Sequence, residues 1–542
     1  MRSELTSLLA GRGIHLGAYT ALLAERYGDR PAVIDPTPVP GSYPVDTWTF
    51  RDIEATVARF AAIQASHGIV ADQRVLIAVD NRLDVALHVF AAARIGAIPV
   101  PVNHRLSPHE LAGVAEATRA SAAVVDPEVT DHLPAGLTVL RTRSASGSAD
   151  HDTVAGAPAG LPEVPVVRDR DPGATAVLLT TSGTTGVPKA AALTSRGMLS
   201  TLGRLTVAPL GADLGVLRRD RDRVLACLPL THVMGFAVLL GSMSAGVPLV
   251  RRTRFDAAEV LDLIEETRPN VFVAVPTMFA DLEAAGAADR DLSSLQVLVS
   301  SADVLPSDRA RRFQRYGGIA RLGGYGLGSA VLIDVFGMVE LSGPAAVRIY
   351  PPSPVGSLPA PGFAVKLPGV ELRVVDEDGQ PVGRGVVGEL QWRGDNVLEG
   401  YEGRDDAGPD ADGWFGSGDT GRLIGAGLFQ FVGRSKDRLK VGGFSVFPAE
   451  VEEALSGAEH VAELAVVGLP DDRLGERLVA AVVAEDGFDA EAFLRWARAQ
   501  VAGYRRPTEV VELDALARGA NGKLDRDAIT DAVARARDGV QA

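Results

Sequence analysis

The spacing of apolar and polar residues changes several times along this chain, and each change predicts an element. From Val75 the run VLIAV, the amphipathic segment DVALHVFAAARIG and the run IPVPV predict strand, helix and strand. The same rhythm returns with DRVLACLPL, the helix AAEVLDLIEET from Ala257, and the strands NVFVAVP from Asn270 and LQVLVSSA from Leu295. Repeated alternation of this kind predicts parallel sheets with helices on their faces. Val386 to Tyr401 (VVGELQWRGDNVLEGY) carries strand patches broken by glycine, as expected of a small β subdomain. From Arg434 the pattern becomes mixed, with helices PAEVEEAL and AEAFLRWARAQV and strands VAELAVVG, RLVAAVVA and EVVEL. That predicts a separate C-terminal unit of roughly 110 residues, within the usual domain range. The expected fold is α/β, with a large N-terminal domain over 1–433 built of layered α/β subdomains plus the small β subdomain, and a small C-terminal α+β domain over 434–542. The stretch from about Ala145 to Arg170, rich in Ala, Gly, Pro and Ser, reads as a surface linker.

Composition narrows the classes of function. The 542 residues are 46% hydrophobic and 23% charged, a globular balance. Net charge is −15 with no basic stripe, which disfavours nucleic acid as a partner. Apolar stretches such as AVLLGSMSAGVPLV from Ala237 are broken by glycine and serine, short of the roughly 18 continuous apolar residues that predict a membrane span. MRSELTSLLAGRG lacks the apolar middle of a signal peptide, so a cytoplasmic location is expected. The single Cys227, set in VLACLPL, reads as a buried thiol. Nothing in the sequence sets an oligomeric state.

The most informative local pattern is TTSGTTGVPK from Thr180 to Lys189, between the apolar run ATAVLL and AAALT. Gly183 and Gly186 let backbone amides approach phosphate oxygens, while Thr181, Ser182, Thr184 and Thr185 supply hydroxyl donors and Lys189 a positive charge. A short Gly/Ser/Thr turn would be an ordinary surface feature; ten ordered positions after a strand point to ATP instead. The loop is not GxxxxGK[ST], because Val187 and Pro188 separate the second glycine from the lysine.

This loop resembles the phosphate-binding signature of the AMP-forming adenylating enzymes: acyl- and aryl-CoA ligases, luciferases and peptide-synthetase adenylation domains. Further segments follow the family's order from residue 48 to 526. They are WTFRDIEATVARFAAIQASHGI from Trp48, GAIPVPVNHRL from Gly96, WFGSGDTGRL from Trp414, GRSKDRLKVGGFSVFPAEVE from Gly433 and NGKLDR from Asn521.

The resemblance implies an ATP- and Mg2+-dependent ligase that adenylates a carboxylic acid, acyl or aryl, and passes it to CoA. It assigns Lys523 to the bridge between acid and phosphate, Asp419 to the ribose hydroxyls and Arg434 to the same sugar. Lys436 stands at the domain hinge, about which the small domain is expected to move, and Lys440 at a site used in the second half-reaction. Gly442 and Gly443 would let a thin pantetheine arm pass. PLTHVMGF from Pro229 places His232 as a gate at the acid pocket.

The family's YGxTE block has two competing segments, YGLGS at Tyr325 and FGMVELSG at Phe336. The second is chosen, because it keeps Glu340 as the magnesium ligand and is followed by LSGPAA. Asp334, Phe336, Gly337 and, upstream, Ser301 are then nucleotide-binding candidates. Val339 replaces the usual threonine and loses one phosphate hydrogen bond, worth about 0.5–1.5 kcal/mol if neutral. SSAD from Ser300 departs from the glycine-rich segment usual there. A second enzyme class stays open, in which nitrite is adenylated and attacked by an aromatic amine to give a diazonium group. A nucleotide-binding homologue without turnover is a third reading, opposed by the retention of Glu340, Asp419 and Lys523.

Overall fold

The computed structural model describes residues 13–40, 45–144, 153–157, 160–161, 163–181, 189–200, 221–303, 305–318, 320–322, 325–351, 363–404, 408–425, 427–442, 444–471, 473–501, 503–519 and 523–540. Its first layer is a parallel sheet of Ile98–Pro101, Arg74–Ala78, Ala122–Val125 and Thr138–Arg141, in that spatial order. The crossover helix Asp84–Ile95 is buried on every side through Arg94, which is why its pattern is almost continuously apolar. Helix Phe50–Ser66 packs over it and starts at a capping box in which Thr49 and Asp52 satisfy each other's backbone amides.

The second layer is a sheet of thirteen strands among the described residues. One half is parallel, with Val331–Met338, Val297–Ser301, Val271–Ala274, Val224–Ala226, Leu249–Val250 and Pro31–Ile34 side by side. The other half is antiparallel and carries Gly388–Arg393, Phe415–Gly425 and Leu428–Arg434. A separate three-stranded sheet holds Thr175–Thr181, Lys189–Thr194 and Gly400–Tyr401.

After Arg434 a single 3-10 turn, Ser435–Asp437, leads to a sheet built only from Leu439–Val441, Phe444–Val446, Val461–Asp471, Gly475–Ala484 and Glu509–Glu512. Two apolar clusters lie on it, one including Val451, Leu455 and Phe493 and the other including Leu469, Ile529 and Val533. This small unit has its own core.

The presumed surface linker differs from its reading. Within it Thr153, Val154 and Ala157 are buried, Thr153 bridges Arg141 of the first sheet, and Arg59 donates to the Ala157 carbonyl at 3.0 Å. A composition-based reading missed this because three small residues suffice to cover a sheet edge.

Candidate active site

In open α/β sheets ligands collect beyond the carboxyl ends of parallel strands. Here those ends deliver His232 after Val224–Ala226, Ser300 to Asp303 at the end of Val297–Ser301, and Phe336 to Glu340 at the end of Val331–Met338. The hydroxyls of Ser300 and Ser301 are buried and make no hydrogen bond among the described residues. Each such group costs about 1–3 kcal/mol unless something pairs it. Ala302 follows with φ +76°, a left-handed conformation that a residue with a Cβ adopts only under strain. Gly337 cannot carry a side chain, because a Cβ there would lie 2.2 Å from the Gly343 carbonyl oxygen.

Glu340 lies in the 3-10 turn Val339–Leu341 and is 8% exposed. Its carbonyl accepts from Leu398 N at 2.8 Å, and its Oε1 accepts from the Tyr401 hydroxyl at 2.8 Å. Burial, and then the Glu340 charge, push the Tyr401 phenol well above its ordinary range, so it stays a donor. Val339 sits in the main apolar cluster with Val335 and Leu341. No group of three or more His, Cys, Asp or Glu side chains is arranged to hold a metal ion among the described residues. A lone carboxylate nevertheless suits Mg2+, which keeps waters and takes phosphate oxygens as its other ligands.

The segment singled out in the sequence is rooted where Thr181 and Lys189 are paired across antiparallel strands. Ser182, Gly183, Thr184, Thr185 and Gly186 lie outside the described residues, as does Gly443. Gly400–Tyr401 adds to the Lys189–Thr194 strand and sets the Tyr401 ring 5.2 Å from Lys189 Nζ.

On the antiparallel half, Asp419 and Arg434 are cross-strand partners 3.4 Å apart. Asp419 is 3% exposed, and burial raises its carboxyl to about 6 against the pull of Arg434 and Lys523. Phe336 stacks on Trp392 at 5.4 Å and 26°, and remains partly exposed. The Asp334 carboxylate pairs with Arg348 at 2.8 Å; burial nonetheless raises it to about 6.

Lys523, from the small unit, reaches this same place. Burial lowers its ammonium, as does the charge of Arg434, while Asp303, Asp419 and Glu340 favour the charged form. His232, the N-cap of helix Val233–Ala245, is held near 4 by burial and then by Lys523, and so is neutral at physiological pH. Thus Lys523, Glu340, Asp419, Arg434 and His232 come together. Lys440 does not: it is exposed on the small unit, with Nζ 3.1 Å from Ser445 Oγ. Lys436 and Gly442 are exposed as well. Sequence reasoning passed over Tyr401, Asp303 and Arg348. Tyr401 lay within a quoted segment, but its partner is 61 positions away.

The AMP-binding enzyme family matches residues 22–402, and the AMP-binding enzyme C-terminal domain matches residues 450–523. The chain belongs to the AMP-binding enzyme family and is by class an AMP-forming acid–thiol ligase. It is 32% identical over 486 residues to feruloyl-CoA synthase from an Amycolatopsis species, covering 88% of this chain and 92% of that one. Indoleacetate–CoA ligase from Aromatoleum aromaticum is 32% identical over 532 residues, covering 94% and 97% respectively. The structure of o-succinylbenzoate coenzyme A synthetase from Bacillus subtilis with ATP and magnesium ion aligns with a TM-score of 0.77 at 25% identity, covering 94% of this chain and 99% of that one.

Proposed function

We propose that this enzyme uses ATP and Mg2+ to convert a carboxylic acid, acyl or aryl, into an acyl-adenylate, and then passes the acyl group to CoA. The observation that carries this reading is the burial of Lys523 among Asp303, Asp419 and Glu340, at the carboxyl ends of the parallel strands. In the first step an acid oxygen bonds to the α-phosphorus of ATP and the bond to the pyrophosphate oxygen breaks. Two anions must meet, so charge compensation and alignment are what the protein has to supply. Lys523 provides the cation between them, and neutral His232 walls the acid side without a second charge. Asp419 accepts from the ribose hydroxyls beside Arg434. Glu340 would hold Mg2+, which when bound would supply charge neutralisation to the phosphates, and the sequence motif Thr181 to Gly186 with Lys189 is assigned to those phosphates. Ser301, Asp334, Phe336 and Gly337 form the wall around the base.

In the second step the thiol sulfur, losing its proton, must bond to the acyl carbon as the bond from that carbon to the phosphate oxygen breaks and AMP leaves. The exposed positions of Lys440, Lys436 and Gly442 support a rearrangement in which the unit after residue 433 turns about Lys436 and exchanges Lys523 for the Lys440 face. The domain boundary is accordingly placed at 433/434.

A panel of acids, aryl acids first, tests this reading through pyrophosphate release and loss of free thiol, with and without CoA. Coupled AMP formation and thiol loss with a carboxylic acid is expected. AMP formation only with nitrite and an aromatic amine, without thiol loss, would replace it with the diazotising reaction.

A further inference from the structure

The cation and the carboxylate assigned to the phosphates come from distant parts of the chain, yet both meet one side chain. Tyr401 donates its hydroxyl to Glu340 Oε1 at 2.8 Å and offers its ring to Lys189 Nζ at 5.2 Å. Both contacts are built in by backbone. Gly400 and Tyr401 pair with Ala192 and Ala191 on the strand that begins at Lys189, and Leu398 N donates to the Glu340 carbonyl oxygen at 2.8 Å. Among the described residues Tyr401 is the hydrogen-bond partner of the Glu340 carboxylate.

We propose that Tyr401 is a positioning residue for magnesium-bound triphosphate, holding the Glu340 carboxylate and the Lys189 ammonium as one unit. The inference rests on the reading of Glu340 as metal ligand and Lys189 as phosphate cation. With Oε1 occupied by the phenol, Oε2 is the oxygen left to a metal, and a hydrogen-bonded outer partner of this kind would orient the ligand. The ring face attracts the ammonium and limits where its charge sits. Tyr401 also lines an open polar cleft of about 610 Å³ with Gln391, Arg404 and Trp414.

The two contacts are separable. Tyr401→Phe keeps the ring under Lys189 and removes the phenol; Tyr401→Leu removes both. Binding is read directly, by the electron paramagnetic resonance signal of free Mn2+ titrated into enzyme with ATP, alongside calorimetric binding of AMP, which lacks the β- and γ-phosphates. Tyr401→Phe should weaken Mn2+ about tenfold while AMP affinity stays unchanged. Tyr401→Leu should weaken Mn2+ as much and ATP further, and it supplies the metal measurement if the phenylalanine variant does not fold. Glu340→Gln separates the two levels of inference. If it abolishes Mn2+ binding while Tyr401→Phe leaves that binding within twofold, Tyr401 merely packs and the positioning role fails. If Glu340→Gln itself leaves Mn2+ binding intact, the metal-ligand reading fails and takes the proposal with it. Equal loss of Mn2+ and AMP binding in Tyr401→Phe would show a general structural role and overturn the proposal.

Discussion

Burial works against the charged form that Asp419 needs as an acceptor for sugar hydroxyls. Burial raises its carboxyl to about 6, and Arg434 and Lys523 only partly oppose this. A carboxyl raised in the folded state favours folding fully below the unfolded value of 3.8, and that contribution is lost as pH rises through about 6. Asp419→Asn, which cannot titrate, should therefore gain thermal stability relative to the parent between pH 4 and 6, with no further change above. If Asp419 holds the ribose as proposed, the same titration governs nucleotide binding, because a protonated carboxyl can accept fewer hydrogen bonds. ATP affinity of the parent should fall as pH drops through about 6, and the step should vanish in Asp419→Asn. A parent whose affinity and relative stability are flat across that window would contradict the assignment.

At the scale of elements, the strand Val297–Ser301 ends in stored strain. Ala302 holds φ +76° where glycine would adopt it freely, a cost of about 1–2 kcal/mol. Ala302→Gly should raise the melting midpoint, since relief of that strain exceeds the added freedom of the unfolded chain; a lower midpoint would mean that packing of the methyl outweighs it. SSAD already stood out in the sequence as a departure from a glycine-rich segment, but only the backbone shows what the departure costs. Repetitive elements were legible because one element's periodicity is local: the strands at Val75, Asn270 and Leu295 and the helix from Ala257 all occur. Lys523 and Asp419 could be named from motifs. The links between elements could not, because nothing in Asp334 announces Arg348, and nothing in Tyr401 announces Glu340. His232 was singled out as a gate, while its role as a helix cap depends on a backbone turn that no motif states.

For the whole molecule, the small unit touches the large one through the packing of Phe447 against Gly433 and through several polar groups. Glu453 accepts from Ser307 and lies 3.8 Å from Arg348, Arg309 donates to the Ala462 carbonyl at 3.3 Å, and Arg438 pairs with Glu377 at 3.3 Å. Polar contacts of this kind are exchanged for water at little cost, which suits the proposed turn of this unit. Among the described residues no helix is long and apolar enough to cross a membrane, consistent with the broken apolar runs of the sequence.

The account stands on one division of labour, with Lys523 serving adenylation and Lys440 serving transfer. Its most direct test is to measure both half-reactions in Lys523→Ala and Lys440→Ala, using acid-dependent pyrophosphate release for the first and conversion of supplied acyl-adenylate by CoA for the second. Lys523→Ala should lose the first by orders of magnitude and retain the second, and Lys440→Ala should do the reverse. Equal losses of both half-reactions in either variant would contradict it.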